Sequence, residues 1–187
     1  MELRTVYFEN TGPENTEQAL RIARQRAEEL SIKTILVASS RGATAIKAME
    51  IFKGMRVIVI SHSFGFDAPN VQTFTEENRM IVESKGGIML TTTHAFAGVS
   101  RAMRTKHNMY LLGDILADTL RVFGQGMKVA CEIPMMAADS GLVHTDEDII
   151  SIAGTDGGAD TVIVLTPVNS QYFFDLRVKE ILCKPHF

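Results

Sequence analysis

Residues Ser39, Ser40, Arg41, Gly42, Ala43 and Thr44 gather three hydroxyls, a guanidinium and a glycine between an apolar run, "TILVA", and a helical pattern, "GATAIKAMEIF". At the front of a helix the first backbone N–H groups lack intrahelical partners, and the positive end of the helix dipole lies there too. Small side chains let an oxyanion approach those amides. The hydroxyls of Ser39, Ser40 and Thr44 can donate further bonds, and Arg41 adds charge at the rim. The chemistry this suggests is phosphate binding. Ser and Thr also cap helices, and Gly also turns chains, in proteins that bind nothing, so a plain cap stands beside that reading. The spacing matches neither G-x-x-x-x-G-K-[ST] nor G-x-G-x-x-G, which argues against a nucleoside-triphosphate loop and a dinucleotide fingerprint.

Other groups fall at similar places. His62 in "VISHSFGF" and His94 in "LTTTHAFAG" each follow a strand-like run. The C-terminal ends of parallel strands converge on one crevice. Both histidines can therefore meet one ligand as donors, stacking surfaces or acid/base groups, or else be locally bonded loop residues. The "AGTDGGADTVIVL" stretch runs into a strand, so Gly157 and Gly158 read as a turn, and Gly154, Thr155 and Asp156 as turn residues or part of the cleft wall. Glu132 in "CEIPMMAADSG", taken as the end of a strand, is a carboxylate in an apolar run that needs a partner: the sheet's own loops, Arg41, Arg101 or a ligand. Met135 and Met136 read as core filler or as a surface for a flat ligand. Arg101, Arg104 and Lys106 in "FAGVSRAMRTKH" make a solvated basic helix face or an anion rim. No His, Cys or Asp pair has metal spacing, and "HTDED" at 144–148 reads as a cap with exposed acids, so no metal is expected.

The elements that must position these residues follow from periodicity. "TEQALRIARQRAEEL" at 16–30 places Leu20, Ala23, Ala27 and Leu30 on one stripe, with Asn15 or Thr16 as the cap. "KTILVAS" and "MRVIVIS" are uninterrupted apolar strands around the helix "GATAIKAMEIF". Such runs require a sheet covered on both faces. "TEENRMIVESKGG" reads as helix, "IMLT" as strand, and "YLLGDILADTLRVFG" as a helix with Leu112, Ile115, Leu116, Thr119, Leu120 and Phe123 on one stripe, ended by Gly124 and Gly126. "KVACEIPMMAAD", "DIISIAG", "TVIVLTP" and "LRVKEILC" read as strands with little helix between them. That favours some antiparallel pairing at one edge, hence a mixed α/β sheet.

With 187 residues, 45% of them hydrophobic, the chain suits one domain. A net charge of -3 gives no basic field, so nucleic acid is not expected. The start "MELRTVYFENTG" lacks the apolar core of a signal peptide and no run is long enough to span a bilayer, so the expectation is a cytoplasmic protein away from membranes. Cys131 and Cys183 read as buried, reduced thiols. The apolar segment "NSQYFFDLRVKEILCKPHF" offers a sheet edge or a homo-oligomer contact.

The segment "ILVASSRGATAIKAMEIFKGMRVIVIS", in the first half of the chain, resembles the C-terminal domain of pyruvate kinase. There a strand, a hydroxyl-rich turn with a central Gly, a helix and a second strand recur, and in some members the turn holds the phosphate of a sugar effector. Carried over, Ser39, Ser40, Gly42 and Thr44 face the phosphate. Arg41 and Ala43 depart from the expected order around the Gly, and the catalytic barrel of pyruvate kinase is not in this sequence, so that activity is not expected. The whole chain, with "AADSG", "GADT" and "FFDLRVKEILC", resembles a small stand-alone archaeal family of pyruvate-kinase α/β-domain-like proteins. That resemblance implies a three-layer αβα sandwich and bound FMN, with no catalytic residue to carry over. Ser39 to Thr44 would then take the flavin phosphate, and the loops Ser61 to Phe66 and Thr91 to Phe96 would wall the ring through His62, Gly65, Phe66, Thr93 and His94. The readings left open are an FMN-binding protein, with or without redox activity; a binding module for a phosphorylated metabolite; and a non-redox enzyme using His62, His94 or Glu132.

Overall fold

A computed structural model describes residues 2–187. All seven strands join one sheet: β1 (Val6–Phe8), β2 (Thr34–Ala38), β3 (Arg56–Ser61), β4 (Ile88–Thr91), β5 (Ile149–Ala153), β6 (Thr161–Thr166) and β7 (Arg177–Pro185), in the spatial order β1-β7-β6-β5-β2-β3-β4. Among these strands only β6 runs against its neighbours. It lies inside the sheet, because β7 and then β1 continue beyond it. The antiparallel pairing is therefore interior, a correction to the expected edge, and β1 had no counterpart in the periodicity.

The helices are α1 (Thr16–Leu30), α2 (Ala43–Ile51), α3 (Glu76–Ser84), α4 (Val99–His107), α5 (Leu112–Arg121) and α6 (Gln125–Asp139). Two cores show how they are layered. Alternate strand residues point to opposite faces. Ile35, Val37, Val57, Val59, Ile150 and Ile152 join Leu20 and Ala23 of α1 and Ala45 and Ala48 of α2 on one face. Leu36, Ile58, Ile60 and Ile163 meet Met127, Ala130, Ile133 and Met136 of α6 on the other. The fold is the expected αβα sandwich. Both faces are covered, which is why the strands read as unbroken apolar runs.

Two local expectations differ from what forms, and the cap of α1 is met. Leu30 is exposed, whereas Leu20, Ala23 and Ala27 are buried as read. Asn15 occupies the cap position of α1 as read, although its side chain bonds Asn10 O at 2.9 Å and not the helix amides, and the Thr16 hydroxyl accepts from Ala159 N at 3.1 Å. The α5 stripe divides: Leu116 and Leu120 pack inward, while Leu112, Ile115 and Phe123 are exposed.

The largest difference is α6. "KVACEIPMMAAD" is helical, and 12 of its 15 residues are buried, so no polar face marks its turns. Pro134 inside it has no N–H to give the carbonyl of Ala130. Ser151 of β5 supplies the missing donor, its Oγ reaching Ala130 O at 2.8 Å. The buried carbonyl is thus satisfied from the sheet.

Chain direction then positions the site. From β2 the chain steps through α2 to β3 and through α3 to β4, then returns through α4, α5 and α6 to β5 on the other side of β2. In an open parallel sheet such a reversal opens a crevice at the carboxyl ends of the two strands. The loops after β2 and β5 meet there: Thr44 Oγ1 donates to Gly157 O at 3.3 Å. Among the described residues no helix is long and apolar enough to cross a membrane.

Candidate functional site

A cavity of about 690 Å³ occupies this crevice. Its walls come from the loop after β2, the loops after β3 and β4, the Gly-rich loop after β5, and the facing sides of α4, α5 and α6.

The turn after β2 is braced from outside. Thr73 Oγ1 donates to Ser40 O at 2.8 Å, and Asn78 Nδ2 donates to Arg41 O at 2.7 Å. A trans peptide sets C=O and N–H in opposite directions, so the two pinned carbonyls also set the amides that follow them. Gly42 N donates to Ser39 Oγ at 3.2 Å, as does Ala45 N at 3.4 Å. Ser39 therefore caps α2 locally. The amides of Ala43 and Thr44 have no acceptor among the described residues. Gly42 is required here. Its φ of +108° suits glycine, and a Cβ would sit 2.6 Å from that of Asn78.

Ser39, Ser40, Arg41 and Thr44 line the cavity, whereas Gly42 lies buried under Asn78 and Ala43 is exposed, neither of them in its lining. His62, Phe66 and His94 also line it, and they cluster. The His62 and Phe66 rings stack at 4.0 Å, Phe66 and His94 at 5.1 Å, and the Arg101 guanidinium carbon lies 3.9 Å over the Phe66 ring. Gly65 and Thr93 support this cluster from outside. Gly65 N bonds Val71 O at 3.0 Å, and Thr93 packs its methyl into the space left by Gly98. His62 Nδ1 is buried and has no partner among the described residues. Burial pushes the His94 imidazole down to about 4, opposed by Glu132 and aided by Lys128. His62 is pushed down as well, mainly by burial. Both rings are neutral at physiological pH.

The remaining wall is ionic. Glu132 lies on helix α6, not on a strand, and its partners are structural: Oε1 accepts from Phe96 N at 2.9 Å, and Oε2 pairs with Lys128 Nζ. Asp114 of α5 is buried, pairs with Arg104 and accepts from Leu111 N at 3.1 Å. Arg101 and Arg104 thus face the cavity instead of forming a solvated face, and Lys106 alone stays outside it. Gly154, Asp156, Gly157 and Gly158 form the opposite wall. Asp160 holds that loop, accepting from Thr155 N at 3.1 Å and Gly12 N at 2.9 Å. Met136 borders the cavity and Met135 is core.

Sequence reasoning missed Lys128, Asp114, Arg121 and Thr73. The first three belong to faces that periodicity marked as strand or surface, and Thr73 sits in a loop without pattern. Cys131 and Cys183 are buried, and burial pushes both thiols up to about 12, so neither is a nucleophile. Among the described residues no three His, Cys, Asp or Glu side chains converge as metal ligands.

A doubly covered, mostly parallel sheet with a helix-front turn opening on its topological switch point defines a three-layer α/β domain with a crevice at that point. The family model described as pyruvate kinase, alpha/beta domain, matches residues 17–165, well beyond the first half in which the likeness is most readable. The chain belongs to that family.

Proposed function

We propose that the protein binds a phosphate-bearing small molecule at the turn after β2, and that the ligand is FMN. The observation that carries this reading is the braced turn itself: Ser40, Arg41 and Thr44, whose amide at the front of α2 is unpaired among the described residues, line a cavity of about 690 Å³. That volume falls in the roughly 300–1,000 Å³ range of small-molecule sites. The flavin half of the proposal is supported by the His62, Phe66 and His94 cluster, which offers flat faces and neutral imidazoles, and by the family resemblance. Bound flavin would supply hydride or single-electron chemistry. The residues of this chain would hold it: the turn through backbone N–H bonds to phosphate, Arg41 through charge, and the ring cluster through stacking.

The test is the visible absorption spectrum of the purified protein, followed by titration with FMN and with riboflavin, which lacks the phosphate. We expect FMN to bind at least tenfold more tightly, and the Ser40→Ala/Arg41→Ala variant to lose most of that advantage, since charge-assisted bonds contribute about 1.5–3 kcal/mol each. A colourless protein that ignores added FMN ends the flavin reading.

A second reading is favoured by the ionic pairs Lys128–Glu132 and Arg104–Asp114 on the cavity wall, which suit a polar metabolite better than an apolar ring. The ligand is then a phosphorylated metabolite, held by the same turn in a binding module or a non-redox enzyme. Stabilisation by sugar phosphates and not by FMN would select it.

A further inference from the structure

Lys128 is the fourth residue of α6 and lies on the cavity wall. Its side chain is 8% exposed and that of its partner Glu132 is 3% exposed. Lysine is seldom buried this deeply without being paired. The pairing is incomplete. Glu132 has both oxygens committed, one to Phe96 N and one to Lys128 Nζ. An ammonium group has three donors. Glu132 takes one, the Phe96 ring lies 5.6 Å from Nζ, and no other acceptor reaches it among the described residues. Donors left unsatisfied in a buried place are costly, so a group in the cavity is the natural acceptor.

Helix stability does not explain the placement. A cation in the first turn of a helix sits at the positive end of the dipole, where acidic residues are favoured. A buried pair is also a poor source of stability compared with apolar packing. His94, kept neutral by burial, adds no second positive charge beside Lys128.

We propose that Lys128 is the second anchor of the ligand, donating to a carbonyl or carboxylate oxygen, while the turn after β2 takes the phosphate. This rests on the reading of that turn. It narrows the ligand class to phosphate compounds that carry a second oxygen acceptor, whether a ring carbonyl or a carboxylate. Glu132 is then a positioning residue that aims the ammonium.

Removing Lys128 alone would strand a buried carboxylate, so the test uses Lys128→Met/Glu132→Gln, which keeps an acceptor for Phe96 N and leaves no charge. Calorimetric titration with methyl phosphate, 6-phosphogluconate and FMN separates the two ends of the site. We expect the wild type to bind 6-phosphogluconate or FMN at least tenfold more tightly than methyl phosphate, and the variant to lose that advantage while methyl phosphate binding is unchanged. If the variant does not fold, as judged by circular dichroism, Lys128→Gln/Glu132→Gln removes the same charges with less change of shape and carries the same expectation. A variant that keeps the full advantage overturns the role of Lys128 and leaves the turn intact. A wild type that binds methyl phosphate but gains nothing from the second oxygen does the same. If no phosphate compound binds the wild type, the turn reading fails and this one with it.

Discussion

At the residue scale, His94 shows how burial makes a side chain chemically different from its type. Ordinary histidine titrates near 6.5, and here burial holds the imidazole near 4. As pH falls through 6.5 the unfolded chain takes up a proton at this site and the folded chain does not, until about pH 4. Stability contributed by neutral His94 is therefore complete above pH 6.5, declines between 6.5 and about 4, and is level below. His62, shifted in the same direction, adds to the decline. Urea midpoints measured across that window should fall more steeply for the wild type than for His94→Gln, and equal slopes would refute the assignment. The types and neighbours of Ser39 to Thr44 marked a hydroxyl-rich turn at a helix front because hydroxyls, glycine and a helix start are local features. Lys128 announced nothing, because its significance depends on Glu132, Phe96 and a cavity formed by distant segments.

At the element scale, α6 is the instructive case. Its twelve buried residues erase the polar stripe from which helices are read, and Pro134 counts against a helix in any local reading. The sheet beneath it answers that objection, because Ser151 replaces the donor that Pro134 lacks. Ser151→Ala should destabilise the protein by about 1–2 kcal/mol by orphaning the Ala130 carbonyl. Pro134→Ala restores an N–H to the helix, so the same serine change made in that background should cost clearly less. A double-mutant cycle by chemical denaturation measures the coupling, and additive costs would show that the two residues do not share the carbonyl. By contrast α1 spans 16–30 just as its periodicity reads, because it lies half in solvent and keeps both faces visible.

At the scale of the whole molecule, the reversal between β2 and β5 brings two loops more than a hundred residues apart to one crevice, closed by the bond from Thr44 to Gly157. The parts that bound the cavity come from both helical layers and from the sheet, so a ligand there ties the layers together. Ligand held only by the folded state should stabilise it by about 2.7 kcal/mol at a hundredfold excess over Kd. A thermal-shift series with FMN and sugar phosphates should therefore raise Tm in proportion to the logarithm of ligand concentration, with the Ser40→Ala/Arg41→Ala variant responding weakly. A ligand that binds but leaves Tm unmoved would be one that the unfolded chain binds equally well, and the crevice would then not be its site.

The α/β class, the unbroken strands, most of the helices and a hydroxyl-rich turn ahead of α2 are legible in the residue pattern, because each rests on contacts between residues close along the chain. That α6 is a helix, that β6 alone among the described strands is reversed, that Arg101 and Arg104 face inward and that Lys128 meets Glu132 at a cavity emerge with the packed layers. These depend on which surfaces are buried against which. Burial is a property of the assembled layers, and no short stretch of residues contains it.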